Sequence, residues 1–86
     1  MKIYQVLTDA GNSAHAGLKW FLFAEDKRVD ALQLAAGLVL DEVGHRPAYD
    51  GDTQRRVRMY LVAADWDSLE SVLTDCGALL TGTIGT

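Results

Sequence analysis

Asp9, Ser13 and His15 bring the three residue types of a nucleophilic triad into one short segment. The chemistry would be acyl transfer, with Ser13 as nucleophile, His15 as general base and Asp9 orienting the imidazole. That chemistry needs Ser-to-His and His-to-Asp hydrogen bonds held in one geometry. Residues 9–17 (Asp-Ala-Gly-Asn-Ser-Ala-His-Ala-Gly) read as a loop of small and polar residues. Asp, Asn and Ser there serve turn formation through local backbone bonding. The stretch Gly11–Gly17 also lacks the Gly-Lys-Ser/Thr ending of a phosphate-binding loop, and it leads into a strand and not into a helix N-terminus. Neither His15 nor His45 has a second ligand at the three- or four-residue spacing that places two ligands on one helix face. No catalytic residue, metal or cofactor is expected.

Two charged groups could carry binding instead. Arg55, Arg56 and Arg58, with Arg46 across a hairpin, form a basic cluster, and Tyr60 lies on the same face as Arg56 and Arg58 of the strand expected at 56–64. Arginines beside an aromatic on an open sheet are the groups that contact single-stranded nucleic acid. The same arginines would also keep a sheet edge soluble. Asp65, Asp67, Glu70 and Asp75 make residues 62–86 acidic with no base among them. Such a face could imitate a phosphate track in a partner's groove, although acids at a helix N-terminus have a local electrostatic reason to be there. Cys76 lies on the apolar stripe Trp66, Leu69, Leu73, Cys76 and reads as a small buried hydrophobe.

These groups depend on the elements that position them. Lys2–Thr8 reads as a strand from its β-branched and aromatic content. Leu18–Ala24 is a second strand, with Leu18, Trp20, Leu22 and Ala24 on one face and Lys19, Phe21 and Phe23 on the other. A strand apolar on both sides is either central and covered twice or has one face awaiting a partner. Asp26 is placed to cap a helix over 29–43, with Asp30, Gln33, Gly37 and Asp41 on its polar stripe and Val29, Leu32, Ala36, Val39 and Val43 on its core face. Leu34 and Leu38 fall outside that core face. Gly44 and Pro47 stop the helix.

Asp50-Gly51 predicts a tight turn between arms at 46–49 and 53–56, and Pro47 confines the first arm to a sheet edge. Residues 56–64 alternate Val57, Met59, Leu61 and Ala63 against Arg56, Arg58, Tyr60 and Val62, which predicts a strand. Asp67 and Glu70 stand at capping-box spacing for a second helix. Gly77 ends that helix, and residues 78–84 form a last strand.

The expectation is one α+β domain over 1–86. Its sheet is antiparallel or mixed, with four to five strands and two helices on one face. Residues 18–84 follow the βαββαβ order of a ferredoxin-like sandwich, with 18–24 and 56–64 as the central pair. The N-terminal strand has no neat place in that order.

A net charge of −4 on 86 residues argues against nucleic acid covering the whole surface. One cysteine permits no intrachain disulfide and fits a reducing cytoplasm. Met1 leads directly into a strand-like run with no signal-peptide pattern, and no apolar run suffices to cross a membrane.

Surplus apolar surface at Trp20, Phe21, Phe23, Leu34 and Leu38, beside the acids Asp65, Asp67 and Glu70, predicts a small non-catalytic domain that contacts protein, either itself or another chain. It would act as an adaptor or as a stoichiometric inhibitor of a larger complex. In size, acidity and want of catalytic motifs the chain resembles small phage-encoded inhibitors of host defence such as anti-CRISPR proteins, a likeness of composition alone. The competing readings are a dimeric ferredoxin-like domain or small enzyme holding a small molecule near Tyr4, Tyr60, His15 or His45, and a single-stranded nucleic-acid binder using the Arg/Tyr face.

Overall fold

The computed structural model describes residues 1–9, 18–41 and 50–85. Ser13, His15, Val43, Gly44, His45, Arg46, Pro47 and the rest of 10–17 and 42–49 lie outside the described residues. So do the proposed phosphate-loop segment and the first arm of the proposed hairpin. The elements run β1 (Lys2–Asp9), β2 (Leu18–Ala24), a 3-10 turn (Glu25–Lys27), α1 (Arg28–Asp41), α2 (Gly51–Ala63), α3 (Trp66–Asp75) and β3 (Leu79–Thr83). The α+β class holds. Among the described residues the sheet has three strands in the order β2-β1-β3, all neighbours antiparallel, and three helices accompany it.

Three expectations are corrected. Residues 56–63 are not a strand but belong to α2, with Ala64 ending it, so neither the four- to five-strand count nor the ferredoxin-like order stands. Asp50-Gly51 opens no hairpin. Asp50 is the N-cap of α2, its carboxylate accepting from the Thr53 N–H at 2.8 Å. The N-terminal strand, which had no neat place, is the centre of the sheet, and β2 is at an edge.

The physical reason lies in a sequence that satisfies two periods. Val57, Met59, Leu61 and Ala63 alternate, but Gln54, Val57, Tyr60 and Leu61 also recur at helical spacing, and with Thr53 these are the residues of α2 that are buried or half-buried. Arg, Met, Leu and Ala favour helix. Asp52 accepts ion pairs from Arg55 at 2.7 Å and Arg56 at 3.1 Å, the i+3 and i+4 neighbours that only a helix brings together.

The core lies between the sheet and the helices. The register pairs Tyr4 with Phe23 and Thr81, and Val6 with Phe21 and Leu79, so these residues share the helix-facing side. Against them α1 sets Ala31, Leu32, Ala35, Ala36 and Val39, all fully buried, and the alanines let its backbone approach β1 closely. Val29, expected in the core, is exposed, whereas Leu38, expected outside it, packs partly against it. Leu69 and Leu73 of α3 and Val57 of α2 complete the interior. Each fully buried leucine contributes roughly 1.5–3 kcal/mol. Lys2 Nζ stands 5.1 Å from the Tyr4 ring centroid at the margin of this layer.

The helices are joined by specific polar contacts. Gln54 Nε2 of α2 donates to the Val39 carbonyl at 3.0 Å, satisfying one of the last carbonyls of α1. Asp26 does not cap α1, because the 3-10 turn intervenes and Ala24, which precedes that turn, has no capping side-chain bond. The cap of α3 is Asp65, accepting from Ser68 N–H at 3.3 Å, two residues before the expected Asp67.

Candidate functional site

All the helix contacts described above meet one face of the sheet. The opposite face is formed across the three strands by two rows: Leu80, Gln5 and Leu22, then Gly82, Ile3 and Ala24. No described helix packs on these rows. Leu22 is 65% exposed and Leu80 46%. Gln5 between them supplies the row's one polar side chain. Gly82 leaves space into which neighbouring side chains reach: a Cβ there would lie 3.5 Å from Gln5 Nε2 and 3.7 Å from Ile3 Cγ1. Trp20 stands opposite Leu7 in the same alternation. Leu22 and Leu80 therefore expose apolar surface on this face.

The expected contact residues are only partly brought together. Phe21 is 51% exposed at the sheet edge but points to the helix side, and Phe23 packs partly against the core. Leu34 is exposed on α1, on another surface. Leu22 and Leu80 were not among the expected contact residues. The signal for Leu22 was its alternation with Phe21 and Phe23, which forces it onto the opposite face; Leu80 alternates with buried Leu79 in the same way.

The acidic group has intramolecular work. Asp65 caps α3. Arg28, at the start of α1, donates from Nε to Glu70 Oε1 at 2.9 Å and from Nη2 to Asp67 Oδ1 at 2.8 Å. The bond to Glu70 and then that to Asp67 hold the guanidinium above its ordinary pKa. Two acids paired to an internal arginine and a third capping a helix make a poor imitation of a phosphate track.

The basic group is rearranged as well. Arg55, Arg56 and Arg58 are exposed on α2, with Asp52 pairing the first two, while Tyr60 packs partly against the core. The proposed Arg/Tyr sheet face therefore does not exist, because there is no strand to carry it. The outer side of α2 also exposes Met59 and Val62.

Groups that would bind or turn over a small molecule are not assembled among the described residues. Tyr4 is 2% exposed inside the core, and Tyr60 packs partly against it. A shallow depression lined by Met1, Ala24, Glu25 and Asp26 lies at the end of β2. Among the described residues no cluster of three or more His, Cys, Asp or Glu could hold a metal, and no buried side-chain polar atom lacks a partner. No described helix is long and apolar enough to cross a membrane. Cys76 is half-buried at the end of α3, and burial pushes its thiol pKa up.

Comparison with protein-family models, with curated proteins and with solved structures found no match.

Proposed function

We propose that this chain is a small non-catalytic protein-binding domain, an adaptor or a stoichiometric inhibitor of a larger complex. Its contact surface is the helix-free face of the sheet. The observation that carries this reading is the row Leu80–Gln5–Leu22, whose two leucines are 46% and 65% exposed on a face that no described helix covers. With one polar side chain in the row, the partner's matching surface is apolar, and selectivity comes from shape and from the amide of Gln5. This departs from the expectation that the acids of α3 would form the contact, since those acids are engaged within the fold.

The test is affinity capture from the native host with wild-type bait and with a Leu80→Glu bait of equal stability. Leu80 lies on β3, so a charge there alters the face and leaves the β2 edge intact. A protein captured by wild type and lost, tenfold or more, with Leu80→Glu supports the reading. An identical set of captured proteins overturns it.

A further inference from the structure

We infer that two copies of this chain associate by antiparallel pairing of β2 with β2 of the second copy, making one continuous six-stranded sheet. The inference goes beyond the binding reading above, because it uses the edge of the sheet, whereas that reading uses its face.

The edge itself is the first observation. β2 is seven residues long and pairs with β1 along one side only among the described residues. Its register runs without a bulge from Ile3↔Ala24 to Asp9↔Leu18. Exposed edges are ordinarily blunted by charge, proline or a bulge. Leu18–Ala24 has Lys19 as its one charged residue and no proline. By contrast β3, the other edge, is five residues long, contains Gly82 and is rich in Thr.

Charge distribution favours a second copy as the occupant. The chain holds 12 acids against 8 bases, so two copies repel each other over most of their surface. Leu18–Ala24 contains none of those acids, and approach along it is the least opposed.

Geometry is the third argument. A two-fold axis between antiparallel edge strands stands perpendicular to the sheet and keeps the helices of both copies on one side. Pairing centred on Phe21 then places Phe21 opposite Phe21 of the second copy and Leu22 opposite Trp20. Every pair joins residues of the same alternation. Lys19 stands opposite Phe23, and the two copies of Lys19 are roughly 14 Å apart along the strands, beyond the screening length at physiological salt. Phe21 and its counterpart in the second copy, each 51% exposed in the single chain, are covered at the seam. With the two backbone edges they bring the buried area to on the order of 1,000 Å², the lower bound for a specific interface.

The experiment is sedimentation velocity over concentrations bracketing the roughly micromolar Kd expected of so small an interface. Wild type, Phe21→Glu and Leu80→Glu are compared, with far-UV circular dichroism to verify folding. The expected result is a wild-type dimer, a Phe21→Glu chain whose Kd is raised roughly a hundredfold by like charges across the axis, and a Leu80→Glu chain that still dimerises. Amide hydrogen exchange on the wild type, at concentrations above and below the Kd, needs no variant and should show β2 protected only in the dimer. A strictly monomeric wild type overturns the inference and leaves the edge to a heterologous strand. A dimer lost with Leu80→Glu but kept with Phe21→Glu, or unchanged β2 exchange, overturns it in favour of face-to-face packing. A monomeric wild type whose captured partner still depends on Leu80 would refute self-pairing while sparing the binding reading.

Discussion

Ala64 and Gly77 occupy the same position of the same helix-terminating motif, the first after α2 and the second after α3. Each has a positive φ, 54° for Ala64 and 82° for Gly77. Each donates its N–H three residues back, Ala64 to Leu61 and Gly77 to Thr74. The following residue donates five back, Asp65 to Tyr60 and Ala78 to Leu73. This is the bonding of a Schellman ending, in which glycine is the usual occupant. At Ala64 the Cβ bears the cost of the left-handed backbone.

Ala64→Gly should therefore stabilise the protein by about 0.5–1 kcal/mol, the relief of strain exceeding the extra chain entropy of glycine. Gly77→Ala should destabilise it by about 1 kcal/mol through backbone strain, since a Cβ there meets nothing within 4 Å. Urea unfolding of both variants checks this pair of opposite signs. A loss of stability with Ala64→Gly would contradict the assignment of the α2–α3 corner.

The Arg28 pairs should differ in weight. Glu70 keeps 22% of its side-chain surface exposed and Asp67 93%. Solvent screens the Asp67 pair, so Asp67→Asn should change stability by less than about 0.3 kcal/mol, and Glu70→Gln should cost about 0.5–1 kcal/mol. A double-mutant cycle with Arg28→Met measures the Arg28–Glu70 coupling, and that coupling should shrink in high salt.

Asp50 should make the start of α2 sensitive to acid. The Thr53 N–H donated to its carboxylate holds the Asp50 pKa below the usual 3.8. A carboxyl depressed in the folded state stabilises fully above its unfolded pKa and loses that contribution as pH falls through the lower, folded value. Fraying of the first turn of α2 should therefore begin only below about pH 4. NMR titration of the Thr53 amide should follow the Asp50 carboxylate. Asp50→Asn, which keeps an acceptor oxygen, should abolish that step. A Thr53 amide that titrates unchanged in Asp50→Asn would contradict the cap.

How much of this was legible in advance varies by element. β1, β2, α1, α3 and β3 were readable because each carries a single dominant signal: β-branched alternation in Lys2–Thr8, the Leu69–Leu73 stripe, Gly77 after α3. Residues 51–63 were not, because Arg56–Ala64 satisfies alternation and helical spacing together and Asp-Gly serves equally as a turn or as the start of a capped helix. The pairing of Asp52 with Arg55 and Arg56 was the deciding cue. Ala64 hid the end of α2, since glycine is the residue that marks such endings. Moving one strand into a helix also changed the site: it removed the Arg/Tyr sheet face and made β2 an edge of the described sheet. Surplus apolar surface on Leu18–Ala24 was legible. That β1 would take the centre was not, because non-local pairing leaves no local mark.

The face of the sheet that no described helix covers is the proposed contact surface. The most direct measurement is backbone amide NMR of the labelled chain, titrated with the protein that wild type captures and Leu80→Glu does not. Shifts concentrated at Gln5, Leu22 and Leu80, with Arg55, Arg58 and Val62 of α2 unmoved, are the predicted result. Shifts confined to the outer side of α2, with β1 and β3 unchanged, would contradict it.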